Sequence, residues 1–215
     1  MNPFPVILSS PSGGGKTTIA RELLSRRPDV GYSVSCTTRP ARNGETHGQD
    51  YFFLTVTEFD AAQNRGEFAE SAEVHGNRYG TLRREVDRVL DSGRHVVMDI
   101  DVQGTRQFQE AYPESVSIFV LPPNASVMLS RLTARGTESP ATLSRRLGSA
   151  VDELRSVDIY GYLVVNDDLQ HAVDVVSGII DSEESRLAHL SGYADTVGAL
   201  ISDLESELDK MNRSV

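Results

Sequence analysis

Lysine is almost missing from this chain: Lys16 and Lys210 are the only two, and arginine carries nearly all the remaining positive charge. Cysteine is reduced to Cys36, which excludes an internal disulfide and reads as a small buried strand residue rather than a nucleophile. Apolar runs are short. Stretches such as Val116 to Leu121 fall far below the length that spans a bilayer, so no membrane partner is expected. No charged leader with a long apolar core opens the sequence, and with the lone cysteine this leads to the expectation of a reducing, cytoplasmic location. Positive charge is also outweighed, with a formal net charge of −10 that excludes a general nucleic-acid binder, whose backbone contacts need many basic groups. An anionic substrate must therefore be met by locally focused arginines. The histidines, His47, His75, His95, His171 and His189, show neither metal-ligand spacing nor a neighbouring cysteine pair, so no zinc site is expected.

What is present is concentrated near the start. The run Ser9-Ser10-Pro11-Ser12-Gly13-Gly14-Gly15-Lys16-Thr17-Thr18 follows an apolar strand candidate, Pro5 to Leu8, and opens a helix-patterned stretch. Consecutive glycines let backbone N–H groups turn inward on phosphate oxygens, and the following helix start adds a favourable dipole. In such a loop Lys16 reaches the outer phosphates and the Thr17 hydroxyl binds Mg²⁺, the expected cofactor, so the chain is expected to hold a nucleoside triphosphate. The usual spacing wants a glycine at position 10, where this chain has Ser10. The structural alternative is a plain Gly/Ser turn between a strand and a helix.

At 215 residues and 39% hydrophobic content the chain can bury one good core, or one core with small appended subdomains. Ile19, Leu23 and Leu24 give the first helix an apolar face that ends near Arg26-Arg27-Pro28. Residues 31–80 are polar and extended. Strands are expected over Tyr32 to Thr37 and Tyr51 to Leu54, with a helix capped by Thr57 and a hairpin turn at Gly76-Asn77 between Ala72 to His75 and Arg78 to Tyr79. Thr81 then reads as the cap of a helix with Leu82, Val86, Val89 and Leu90 inward. Val96 to Asp99, Ser117 to Leu121 and Tyr162 to Val165 read as buried parallel strands, each followed by a helical pattern. Asn124 caps a helix through Arg135, and Ser139-Pro140 starts another to about Ser156. The turn between them, Gly136 to Ser139, is expected to be exposed and mobile. A further helix is expected from about Leu169 to Leu190. The fold class is α/β, a parallel sheet core flanked by helices with a small mixed β/α insertion and a helical lid. The tail, 191–215, is acidic and amphipathic through Val197, Leu200, Ile201, Leu204 and Leu208. It packs either on the core, the favoured reading, or on a neighbouring chain as a homo-oligomer.

A phosphate loop alone names no reaction. Between positions 33 and 104, however, Ser33-Val34-Ser35-Cys36-Thr37-Thr38-Arg39-Pro40-Ala41-Arg42, Gly48-Gln49-Asp50-Tyr51, Phe68-Ala69-Glu70, Tyr79-Gly80-Thr81 and Asp99-Ile100-Asp101-Val102-Gln103-Gly104 occur in this order. Together with the loop they closely resemble guanylate kinase, over about residues 4 to 188. The resemblance implies transfer of the γ-phosphoryl of MgATP to GMP, with dGMP as a further acceptor. It divides the chain into a nucleotide-binding core, 1–31 and 82–190, including a lid at about 131–147, and a GMP-binding insertion, 32–81.

The implied roles agree with the residue chemistry. Arg39 and Arg42 can fork onto one phosphate, and the resemblance adds Tyr51 and Tyr79 to that task; a solvated loop is the alternative for the arginines. Glu70 carries a carboxylate that accepts from the N1–H and N2–H₂ edge of guanine, which adenine lacks. The resemblance assigns Glu70, Asp101, Ser35 and Thr81 to base recognition, and Thr81 keeps its second role as a helix cap. Asp99 and Asp101 stand at the carboxyl end of a strand, where ligands bind in open α/β sheets. Asp99 takes the place of a carboxylate near Mg²⁺, through water, and Asp101 that of the guanine contact. The division between them stays open, and a helix cap is the alternative for Asp101. Arg131, Arg135, Arg145 and Arg146 flank the lid turn. The resemblance gives Arg135 and Arg146 to a lid closing over ATP, with Lys16, Arg39, Arg135 and Arg146 stabilising the transferring group, Arg131 binding ATP, and Asn166 near the adenine. A solvated arginine face is the alternative. Two other functions remain: an inactive protein-binding module of the same family, and a phosphate-loop kinase for another acceptor.

Overall fold

The computed structural model describes residues 2–74, 76–133 and 140–213. From the N-terminus run β1 (Pro5–Ser9), α1 (Lys16–Arg26), β2 (Val30–Tyr32), β3 (Cys36–Thr37), β4 (Phe52–Phe53), α2 (Val56–Asn64), β5 (Phe68–Val74), β6 (Asn77–Leu82) and α3 (Arg83–Leu90). There follow β7 (His95–Asp99), α4 (Val102–Ala111), β8 (Val116–Leu121), α5 (Ala125–Thr133), α6 (Pro140–Arg155), β9 (Tyr162–Val165), α7 (Leu169–Glu183) and α8 (Tyr193–Arg213).

The core is a five-stranded sheet in the order β2-β7-β1-β8-β9, parallel throughout. Its inner strands read as continuous apolar runs because helices cover both faces. Alternation along β1 sends Val6 and Leu8 to a cluster with Ile19, Leu23, Val176 and Ile180 from α1 and α7. Ile7 faces the other way, into a cluster with Val86, Val89 and Phe108 from α3 and α4. β1 and β7 end side by side, and the chain passes from β7 to β8 across β1, so their carboxyl ends open a crevice of the kind that binds ligands.

A second sheet, β4-β3-β6-β5, has its own core of Cys36, Phe59, Ala62, Phe68 and Leu82. The Phe59 and Phe68 rings stack with centroids 4.5 Å apart, seating α2 on the β5–β6 hairpin. Gly76, at φ 78°, makes the hairpin turn in the left-handed region that side chains avoid. Burial pushes the Cys36 thiol up to about 12, which keeps it inert as a nucleophile.

Several local expectations need correction. The strand expected over Tyr32 to Thr37 is two strands in two sheets: β2 pairs with β7, whereas β3 pairs with β6. The cap of α2 is Thr55 and not Thr57; Thr55 and Glu58 form a reciprocal capping box. Thr81 caps nothing. It is the penultimate residue of β6, α3 starts beyond Leu82 without a side-chain cap, and the Thr81 hydroxyl is spent on Glu70. The helix expected to reach Leu190 ends at Glu183, and a separate 3₁₀ turn, Leu187–His189, docks on the body through buried His189 and Phe4, stacked at 4.1 Å. Asn124 does cap α5, accepting from the Val127 amide at 2.9 Å.

The tail departs furthest. The described side chains of α8 are all exposed, including Val197, Leu200, Ile201, Leu204 and Leu208, so the reading that packs it on the core is wrong. An amphipathic stripe records that a helix has an apolar face, not what covers it. No helix among the described residues is long and apolar enough to cross a membrane. His75, Arg135 and the Gly136 to Ser139 turn lie outside the described residues.

Asp29, His95 and Glu184 bring one potential metal-ligating atom each within 4.8 Å of one another. Arg27 ion-pairs with both carboxylates, and His95 Nδ1 accepts the Phe4 amide proton, which leaves Nε2 to donate to Glu184. The cluster is thus satisfied by its own groups.

Candidate active site

A cleft of about 800 Å³ lies at the carboxyl ends of β1 and β7 and reaches the second sheet. Ser12, Gly13, Gly15, Lys16, Thr17 and Thr18 form one part of its wall, and Ser35, Tyr51, Glu70 and Tyr79 another; Asp99, Asp101, Arg131 and Asn166 line it too.

The phosphate loop takes its shape from glycine at specific points. Gly13 and Gly15 have φ of 88° and 96°. A Cβ on Gly14 would lie 2.7 Å from the Ser10 Cβ. Ser10 therefore replaces the usual glycine only because Gly14 leaves it room. A Cβ on Gly15 would meet Asn166 Nδ2 at 2.3 Å, and that nitrogen donates to the Gly14 carbonyl at 2.8 Å. Asn166 thus braces the loop. Gly15 also precedes α1 with no side-chain cap, which leaves the first helical amides for an anion. Arg131 donates through Nη2 to the Asn166 carbonyl at 3.2 Å, while its buried Nη1 has no hydrogen-bond partner. A buried donor without an acceptor beside such a loop is what a phosphate oxygen satisfies.

At the foot of the loop the Thr17 hydroxyl donates to Asp99 Oδ2 at 2.7 Å. The other Asp99 oxygen accepts from the Tyr32 hydroxyl, also at 2.7 Å. Burial, and then Asp99 itself, raise the Tyr32 phenol well above its ordinary range, so it stays a donor. A hydroxyl and a carboxylate held together here are hard oxygen ligands suited to Mg²⁺.

The other end is a pair of carboxyl groups. Glu70, on β5, is 5% exposed and accepts from the Thr81 hydroxyl at 2.6 Å. Desolvation chiefly, and Asp101 in addition, push its carboxyl up to about 7, against the hydrogen bond from Thr81. Asp101 caps α4, with Oδ1 accepting from the Gly104 amide at 2.7 Å, and still lines the cleft. Gly104 leaves room for this carboxyl, since a Cβ there would lie 2.5 Å from Glu70 Oε2.

Arg39 lies over the Tyr51 ring at 5.5 Å, and Tyr51 and Tyr79 meet edge to face at 6.0 Å. The arginine pair is not forked on one point, however. Glu45 takes the Arg39 guanidinium in two bonds of 3.0 and 2.9 Å and also accepts from the Arg42 amide, while the Arg42 side chain is exposed and outside the cleft wall. Arg146 is half-buried on α6, and Arg145 is exposed.

Sequence reasoning missed Tyr32, Glu45 and Glu153. Glu153, on α6, lines the cleft, and its carboxyl is pushed up to about 7, mainly by burial. The Asp99 partner Tyr32 had no local signal, since the two meet only through the β2–β7 pairing.

The family model described as guanylate kinase matches residues 2–183. A guanylate kinase of Symbiobacterium thermophilum is 46% identical over 181 residues, 84% of this chain and 86% of that protein. That of Chromohalobacter salexigens is 42% identical over 200 residues, covering 93% of each. Among solved structures, a guanylate kinase from Anaplasma phagocytophilum superposes with a TM-score of 0.76 at 33% identity, covering 92% of this chain and 95% of that one.

Proposed function

The chain belongs to the guanylate kinase family and has that family's activity, and on this premise we propose that MgATP's γ-phosphoryl passes to GMP, and also to dGMP, inside the cleft described above. The observation that carries the assignment of ends is their opposite chemistry. One end holds a glycine loop, Lys16 and the unpartnered Arg131 Nη1; the other holds the buried Glu70 carboxyl beside Asp101.

In this reading Ser12, Gly13, Gly14, Gly15, Lys16, Thr17 and Thr18 take the triphosphate, with Arg131, Arg135 and Asn166 beside it. Ser35, Glu70, Thr81 and Asp101 take guanine, and Arg39, Arg42, Tyr51 and Tyr79 take the GMP phosphate. Residues 32–81 act as the acceptor-binding insertion on the core formed by 1–31 and 82–190. The GMP phosphate is already an anion, so the attack needs no strong base; the work is to align two repelling phosphates and to stabilise the shared charge with Lys16, Arg39, Arg135 and Arg146. Thr17 and, through water, Asp99 would hold Mg²⁺, which supplies further neutralisation of the phosphate oxygens. Glu70 binds guanine as the carboxylate, because the donors at N1 and N2 favour its ionised form, so GMP binding near neutral pH releases a proton. A cytoplasmic location belongs to the same reading.

Lys16, Thr17 and Asp99 are assembled at one place, which speaks against an inactive protein-binding module. The test is a coupled assay of ADP formation from MgATP with GMP, AMP, CMP or UMP. Turnover with GMP far above the others is expected; equal turnover with AMP would overturn the acceptor assignment.

A further inference from the structure

Glu153 is an acid where an acid does not obviously belong. The cleft wall it shares with Ser12, Gly15 and Lys16 is built to hold an anion, yet Glu153 offers it a second negative group. The Lys16 ammonium and, less strongly, the Ser12 backbone amide lie close enough to favour its charged form, and its Oε2 is shut off from solvent with no hydrogen-bond partner. A buried carboxylate oxygen in that state is costly unless something is gained by keeping it there.

The helix that carries it supplies the reason. α6 packs through Leu143, Leu147 and Ala150 on Met128 and Leu132 of α5. Those two α5 residues rest in turn on Gly13 of the loop, where a Cβ would meet the Met128 carbonyl at 3.2 Å and Leu132 Cγ at 3.4 Å. Arg146, Ser149 and Glu153 follow at helical spacing along one side of α6. One helix thus carries a lid arginine and, two turns on, a carboxylate in the wall of the phosphate-loop cleft.

We propose that Glu153 is a placeholder for nucleotide phosphate: in the substrate-free enzyme its carboxylate stands in the cleft wall beside Ser12 and Lys16, and the arriving triphosphate displaces it, releasing α6 to bring its arginine in. The cradle's ammonium is thereby met by a negative group before the nucleotide comes, and closure is coupled to ATP binding through that one competing group. The inference rests on the reading of residues 12–18 as the ATP site. Glu153 acts as a positioning residue and takes no part in the transfer.

A competitor and a merely structural residue give opposite results when the charge is removed. Glu153→Gln keeps the size and shape of the side chain but removes the negative charge. Titration of MgATP into enzyme without GMP should then show Kd lowered by roughly fivefold, equivalent to about 1 kcal/mol. Glu153→Asp keeps the charge and withdraws it by one methylene, and its Kd should fall between the two. The effect should also depend on pH, because the carboxyl is half-ionised near 7. The ratio of wild-type to Glu153→Gln Kd should rise from near unity at pH 6 to its full value at pH 8. Lys16 on α1, Asp101 at the head of α4, Arg131 on α5 and Tyr160 beyond α6 surround the site and are the same in both proteins, as is the titration of ATP itself, so they leave the ratio alone. Unchanged or weakened MgATP binding in folded Glu153→Gln, or in Glu153→Asp should the first variant not fold, would overturn the placeholder. A Lys16→Ala variant run alongside separates the two levels. If it keeps both turnover and MgATP affinity, the ATP-site reading fails; if it loses turnover while Glu153→Gln binds as wild type, only the placeholder does.

Discussion

On the proposed reading, with phosphate at one end of the cleft and guanine at the other, the two ends solve different problems with different materials. The phosphate end is backbone and permanent charge, a loop between β1 and α1 stiffened by Asn166 and rimmed by Lys16 and Arg131. The guanine end is carboxyl groups spread over two sheets: Glu70 and Thr81 sit on the β5–β6 hairpin, and Asp101 at the head of α4. Phosphate is an anion whatever base is attached, so a fixed cradle suffices. A base edge is neutral, and it is distinguished by the direction of its donors, which only an acceptor of matching placement and protonation can read. Hence the phosphate end reads as a compact motif, whereas the guanine end exists only after the second sheet has folded on its own core of Cys36, Phe59, Phe68 and Leu82.

This contrast is sharpened by changes confined to one end. Lys16→Ala should lower kcat by about 10³-fold or more, since it removes a fixed charge from the migrating group, while GMP affinity measured without ATP changes little. Near-normal turnover in a folded variant would take Lys16 out of the mechanism. Arg146→Ala should lower kcat by roughly tenfold and leave GMP binding alone, because its contact matures only on closure. A change in GMP affinity alone would move Arg146 to the other end.

The guanine end should also reveal itself in stability. The folded-state Glu70 carboxyl is raised to about 7, so its protonated form is favoured; the associated stability is complete below its ordinary range near 4.5 and is lost as pH climbs through 7. The loss is about 3 kcal/mol. Glu70→Gln suffers no such loss, so on going from pH 5 to pH 8 its Tm should gain on the wild type by about 5 °C or more. Parallel Tm curves would show that Glu70 is not held protonated. Last, truncation after Leu190 should leave kcat and both KM values within about twofold, since no described residue of α8 lines the cleft. If full-length protein is dimeric and the truncated form a monomer, the remaining reading of the tail as an assembly element holds; identical sizes on a sizing column would remove it.

What was legible in the sequence follows the same divide. The loop, its strand and α1 are contiguous, so local pattern sufficed, and the apolar runs of β7 and β8 were visible because both faces are covered. The break between β2 and β3 had no local mark, since which sheet each half joins is decided by partners far along the chain. The Thr55…Glu58 capping box is legible in the sequence, and Thr57 competes with it only because it lies nearer the apolar positions of the helix. Glu70 and Asp101 entered through resemblance, and their burial and mutual repulsion could not have been seen without the fold. Glu153 was invisible because an acid on a polar helix face looks solvated until the helix is placed against the loop.

The central claim is that the guanine end alone selects the base. It is tested most directly by kcat/KM for GMP and AMP in Glu70→Ala and Arg39→Ala. Hydrogen bonds to charged groups are worth roughly 1.5–3 kcal/mol, so Glu70→Ala should lose about tenfold to a hundredfold with GMP and narrow the preference over AMP. Arg39→Ala should weaken both acceptors alike, because phosphate carries no base information. An unchanged GMP preference in Glu70→Ala, or a base-selective defect in Arg39→Ala, would contradict the account.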